Sequence, residues 1–81
     1  MSYFVYILKC SDNTFYTGIT TDVKRRVDEH NSSDKGAKYT KIRRPVVLVY
    51  QEISQDRSSA SKREYAIKKL TRKEKMEIID A

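Results

Sequence analysis

Cysteine and histidine each occur once in the 81 residues, proline once and glycine twice. Cys10 therefore has no partner for an internal disulfide, and Cys10 with His30 falls short of a zinc-ligand set. A Cys–His nucleophilic pair would want an Asn or Asp partner that is not evident, so Cys10 reads as a small apolar core or strand-end residue. No apolar run approaches the roughly 20 residues needed to cross a bilayer. The start, Met1-Ser2-Tyr3-Phe4, has neither the positive region nor the small-residue cleavage site of a secretion signal. The expectation is a cytoplasmic protein with no membrane partner. There is no internal repeat, low-complexity tract or linker, and residues 1–81 leave room for one domain only. A domain of this size buries only about 60% of the surface its unfolded chain exposes, so its core must be compact.

What is present is charge and aliphatic patterning. Hydrophobic residues make up 38% of the chain and charged residues 35%, a globular rather than a disordered balance. Seventeen Lys and Arg against eleven Asp and Glu give a net charge of +6, which favours a polyanionic partner with salt-sensitive affinity.

The segment Tyr3-Phe4-Val5-Tyr6-Ile7-Leu8-Lys9 is nearly all apolar, which predicts a strand in the middle of a sheet. Ser11-Asp12-Asn13 supplies turn chemistry, and Phe15 to Thr20 returns as the second strand of a hairpin. With all three turn residues in the loop, Leu8 opposes Tyr16 and Tyr6 opposes Gly18, so both tyrosines share one face. A two-residue loop would put them on opposite faces, and the sequence leaves both registers open. A helix is expected from about Thr21 to Asn31, capped by Thr20 or Thr21 with Asp22 in its first turn. At about 100° per residue, Val23, Val27 and His30 share its inner face, Arg26 sits at the edge, and Arg25 points into solvent.

Residues 32–44 read as a polar, basic loop closed by Pro45, and Val46 to Tyr50 as a third strand. Asp56-Arg57-Ser58-Ser59 opens a helix running to about Leu70. Thr71-Arg72-Lys73-Glu74 has the spacing of a capping box, and Met76 and Ile79 are the expected apolar anchors of a last helix. The order strand, strand, helix, strand, helix, helix predicts a three-stranded sheet with helices packed on it.

Glu64 falls between Ala60 and Ile67 on the inward half of its helix. A carboxylate there needs a partner or a metal. The candidates are a salt bridge to Arg63, Lys68 or Arg26, or a Mg²⁺ ion, which keeps most of its waters and takes further ligands from substrate phosphate. Taken singly, Tyr6, Tyr16, Arg26 and His30 each have a structural explanation as strand tyrosines, a covering arginine and a half-buried histidine. In the loop, Lys35, Lys38, Lys41, Arg43 and Arg44 surround Tyr39, a pattern that can bind phosphates and stack one base, or that simply solvates a mobile segment.

Jointly, these residues resemble the GIY-YIG nuclease family. Phe4-Val5-Tyr6 stands at the first triplet and Tyr16-Thr17-Gly18 at the second, followed by Asp22-x-x-x-Arg26-x-x-x-His30-Asn31 and later by Glu64 on a helix. The likeness extends over nearly the whole chain, including residues 35–40 and Arg44-Pro45. It is closest to the small stand-alone bacterial branch and similar to the catalytic domain of structure-selective junction nucleases. The resemblance implies an α+β fold with a three-stranded, mostly antiparallel sheet flanked by helices. It implies a metal-dependent endonuclease or nickase acting on DNA, with RNA the alternative substrate, structure-selective and in keeping with a role in repair or recombination. It also implies one Mg²⁺ or Mn²⁺ ion at Glu64, Arg26 on the scissile phosphate, and Tyr16 as general base or water-orienting group. Tyr6 would hydrogen-bond beside Tyr16, with His30 one turn after the arginine. The chain departs from the family at Phe4, where Gly is usual, at Ile19, where some repair nucleases carry Lys, and over Arg72 to Ile78, which contains no Asn. A non-catalytic nucleic-acid-binding module is the other reading, and a protein partner a third.

Overall fold

The first apolar run forms the centre of the sheet. The computed structural model describes residues 2–81. In it β1 (Tyr3–Lys9) pairs antiparallel with β2 (Phe15–Thr20) on one side and with β3 (Val47–Ser54) on the other, giving the order β2-β1-β3. Val5, Tyr6, Ile7 and Leu8 are all buried, because helices cover both faces of this central strand.

The hairpin resolves the register left open by the sequence. The Cys10 N–H donates to the Thr14 carbonyl at 2.8 Å, and the Asn13 N–H to the Cys10 carbonyl at 3.0 Å, so Ser11, Asp12 and Asn13 form the loop. Asn13 takes the left-handed conformation (φ 69°) that closes such a loop and that Asn tolerates well. Leu8 therefore faces Tyr16 and Tyr6 faces Gly18.

Alternation along β1 then builds two layers. Val5 and Ile7 point to one face, where they pack with Ala60 and Ile67 of α3 (Arg57–Lys68) and with Ile78 and Ile79 of α4 (Arg72–Asp80). Full burial of Val5, Ile7 and Ile67 contributes roughly 1.5–3 kcal/mol each. Tyr6, Leu8 and Cys10 point to the other face with Val46, covered by Val27 of α1 (Val23–Ser32). Cys10 is thus a buried core residue.

The helix ends follow from their side chains. Asp22 is itself the cap of α1, its Oδ1 accepting the Arg25 N–H at 3.1 Å, so the helix starts later than the threonines suggested. Asp56 caps α3 in the same way through the Ser59 N–H at 2.8 Å. Thr71 and Glu74 make the expected capping box at the start of α4. Its apolar anchors are Ile78 and Ile79, while Met76 remains 43% exposed. The basic loop is not wholly irregular: Lys38–Lys41 form a short helix, α2.

The third strand also runs further than its apolar start, to Ser54, because an edge strand needs only one covered face. Ile53 stays 68% exposed, and a bulge opposite Ile7 and Leu8 leaves Val49 without a pairing partner. Among the described residues, no helix is long and apolar enough to cross a membrane.

Candidate nucleic-acid hydrolysis site

Gly18 lets the Tyr6 ring lie flat across β2. A Cβ at position 18 would sit 2.6 Å from the Tyr6 hydroxyl oxygen and 2.7 Å from Cζ, so only glycine fits beneath that ring. Tyr16, two residues back along the same strand, shares the face, with its ring centroid 6.5 Å from that of Tyr6. Both tyrosines of the hairpin are thereby brought together.

Helix α1 completes the cluster from above. His30, fully buried in its last turn, places Nε2 2.8 Å from the Tyr6 hydroxyl, and its ring meets Tyr16 edge-on at 5.0 Å. Arg26, one turn earlier, lies beside the Tyr6 hydroxyl and is held by Glu29 Oε1 at 3.0 Å and by the Lys35 carbonyl at 2.6 Å. Glu64 comes from α3 in the opposite layer, yet its negative charge still acts on the Tyr6 hydroxyl.

The charges follow from burial. Loss of solvent pushes Tyr6 up to about 12, with Tyr16 and Glu64 adding to the rise and Arg26 opposing it. Tyr6 therefore keeps its proton at neutral pH. Burial also pushes His30 down to about 4, helped by the nearby Arg26 and Arg44 charges and resisted by Glu29. The imidazole is therefore neutral.

Glu64 carries the donor chemistry a cation would need. Its side chain is 23% exposed, and its ion-pair partner is Lys68 of the same helix at 3.4 Å. Arg63, another expected partner, instead binds both Glu52 carboxylate oxygens at 3.1 Å. Among the described residues no three His, Cys, Asp or Glu side chains cluster as a metal cage. A single carboxylate fits Mg²⁺ or Mn²⁺, which accept water and phosphate oxygens, and does not fit a structural zinc ion.

The basic loop divides into two groups. Arg44 gives its guanidinium to the carbonyls of His30 at 2.6 Å, Ser33 at 2.8 Å and Glu29 at 3.5 Å, closing the C-terminal end of α1. Arg43 pairs with Asp12 at 3.0 Å, donates to the Tyr39 carbonyl, and lies 3.9 Å over the Tyr39 ring. Tyr39 in turn stacks on Tyr16 at 6.1 Å and is 37% exposed. Lys35, Lys38 and Lys41 are exposed and, among the described residues, make no ion pair.

Three supporting residues escape a reading of sequence alone. Thr40 is fully buried and approaches the second nitrogen of His30. Asn31 clamps the residue before β3, its Nδ2 donating to the Val46 carbonyl at 3.0 Å and its Oδ1 accepting the Val46 N–H at 2.7 Å. Glu29 holds Arg26, and its three-residue spacing on the helix was the one signal that could have found it. A surface concavity of about 360 Å³ runs along the outer side of α1 beside Asp22, Arg25 and Asp28, away from both tyrosines.

The geometry has close parallels among known proteins. The model of the GIY-YIG catalytic domain matches residues 2–77. A UPF0213 protein of Desulfotalea psychrophila is 60% identical over 80 residues, covering 99% of this chain and 73% of the relative. One from Staphylococcus haemolyticus is 55% identical, covering 96% of this chain and 94% of the relative. The solution NMR structure of a UPF0213 protein from Bacillus halodurans superposes with a TM-score of 0.62 at 44% identity, covering 99% of this chain and 84% of that one. A solution NMR structure of a protein from E. faecalis gives 0.67 at 46%, with the same coverage. With the tyrosines of its two triplets on one sheet face and its family match spanning nearly the whole length, the chain belongs to the GIY-YIG catalytic domain family, among relatives of the small UPF0213 type.

Proposed function

We propose that this protein hydrolyses phosphodiester bonds in nucleic acid, DNA in preference to RNA, as an endonuclease or nickase that reads strand structure rather than sequence. The observation that carries this reading is the convergence of Tyr6, Tyr16 and His30 on one sheet face, with Arg26 beside them and the Glu64 charge within reach.

Each residue has a task suited to its chemistry. Arg26 offers a forked donor to a phosphate, and Glu29 and the Lys35 carbonyl fix its direction beforehand. Tyr6, protonated and anchored to His30, donates or accepts a hydrogen bond but does not act as a base. Tyr16, wedged between His30 and Tyr39, orients the attacking water. Glu64 would hold one Mg²⁺ or Mn²⁺ ion, which supplies Lewis-acid stabilisation of the charge developing on the phosphate oxygens. The exposed Lys35, Lys38 and Lys41 extend the basic surface along the backbone of the substrate.

The test is cleavage of single-stranded, flapped and branched DNA and RNA with Mg²⁺ or Mn²⁺, by wild type and Glu64→Ala. Cleavage by wild type alone supports the reading; equal cleavage by both sinks it. A second reading, a binding module without turnover, is favoured by one observation: Lys68 already neutralises part of the Glu64 charge. Salt-dependent binding with no cleavage by either protein would establish that reading instead.

A further inference from the structure

Two donors meet at the far side of the His30 ring. The Ala37 backbone N–H points at Nδ1 from 3.4 Å, and Thr40 Oγ1 lies 2.8 Å from the same atom. A backbone N–H only donates, so the atom it faces has to offer a lone pair. The Thr40 hydroxyl has a single hydrogen and two acceptors in reach, Nδ1 and the Ala37 carbonyl at 2.9 Å. That carbonyl already accepts the Thr40 N–H at 3.0 Å and the Lys41 N–H at 3.1 Å, which fills its two lone pairs. The hydroxyl hydrogen is better placed on Nδ1.

We infer that the Ala37 N–H and the Thr40 hydroxyl are positioning groups that hold neutral His30 as its Nε2–H tautomer, so that His30 donates to the Tyr6 oxygen and the Tyr6 hydroxyl hydrogen is left for a substrate oxygen. The opposite tautomer would set Nδ1–H against the Ala37 N–H and strand a donor in a partly buried position. With Nε2–H donating, Tyr6 cannot pass its own proton to His30. Tyr6 then acts as a fixed hydrogen-bond donor beside Arg26, and the direction of that bond is set from α2, on the other side of the histidine. The catalytic meaning of this arrangement rests on the phosphodiesterase reading above; the tautomer itself does not.

Because His30 is the only histidine, its ring nitrogens are the only imidazole signals in the ¹⁵N NMR spectrum of the full chain. Wild type and Thr40→Ser should both show an unprotonated Nδ1 and a protonated Nε2, and Thr40→Val should show a mixed pattern, because only the longer Ala37 contact at 3.4 Å then holds Nδ1. A proton on Nδ1 in wild type overturns the inference, and so does an unchanged tautomer in Thr40→Val. In cleavage, Thr40→Val should lower kcat by about ten- to a hundredfold with little change in KM, and Thr40→Ser should restore it. Equal kcat for Thr40→Val and wild type removes the positioning role. If Thr40→Val does not fold, the wild-type spectrum alone decides the tautomer. An Nε2–H spectrum from a protein that cuts nothing leaves the tautomer standing and removes the phosphodiesterase reading.

Discussion

The Tyr6 hydroxyl rests where a side chain at position 18 would begin, 2.6 Å from the nearest Cβ site. Gly18→Ala therefore forces the Tyr6 ring to move, and that residue, 1% exposed, has little room to do so. We expect a loss of about 1–3 kcal/mol from overpacking, or a fall in Tm of very roughly 4–8 °C per kcal/mol. The Tyr6–His30 hydrogen bond should be disrupted as well. Thermal melts together with the His30 ring signals would check this, and an unchanged His30 spectrum in the variant would count against it.

The buried imidazole makes stability depend on acid. In the folded protein His30 takes up a proton only near pH 4, whereas the unfolded chain does so near its ordinary 6.5. As pH falls from 6.5 toward 4 the unfolded state gains protons first, and the native state loses up to about 3 kcal/mol. Above 6.5 this contribution is constant. An NMR titration of the sole histidine gives the folded midpoint, and urea unfolding across the same range gives the stability. A midpoint near 6.5 would contradict the burial argument.

Arg44 and the loop lysines should separate cleanly. Arg44→Lys keeps the charge but loses the fork that reaches the carbonyls of His30 and Ser33, so it should cost about 1–3 kcal/mol of stability. Changing Lys35, Lys38 and Lys41 to Ala should leave stability nearly intact and weaken nucleic-acid binding, with a shallower dependence on salt. Binding isotherms at several salt concentrations, beside urea unfolding, distinguish the two outcomes.

Lys68 competes with any cation for Glu64. An exposed pair of this i,i+4 type is worth about 0.3–0.5 kcal/mol, and Lys68 is 52% exposed. Lys68→Met should therefore lower the Mn²⁺ concentration needed for half-maximal cleavage about twofold. A higher Mn²⁺ concentration needed by that variant would show that Lys68 assists rather than opposes the site.

Much of this architecture could be read from spacing. The central strand, the order of elements and the capping box at Thr71 each follow from local patterns that short-range chemistry enforces. The two registers of the hairpin could not be separated, because the choice depends on Asn13 accepting a positive φ. The start of α1 differs for a related reason: Thr20, Thr21 and Asp22 are all good caps, and in the fold Asp22 Oδ1 accepts the Arg25 N–H while the Thr20 hydroxyl accepts the Asp22 N–H. Spacing points to Met76 with Ile79, and Ile78 packs in place of Met76, because the phase of a nine-residue helix is weakly defined until it packs. Among the candidate residues, the convergence of Tyr6 and Tyr16 was legible once a register was assumed. Thr40 was not, because its partner His30 lies ten residues away across a turn that no periodicity describes.

The segment between α1 and β3 is fastened to His30 at three points, Arg44 on its carbonyl oxygen and Thr40 and the Ala37 N–H on its ring, and Asn31, its neighbour, clamps Val46. The exposed lysines of that segment are thus bolted to the same residue that holds Tyr6. A polyanion drawing on those lysines would pull on a segment whose own hydrogen bonds hold the imidazole. Binding along those lysines would therefore be felt at the tyrosine as well.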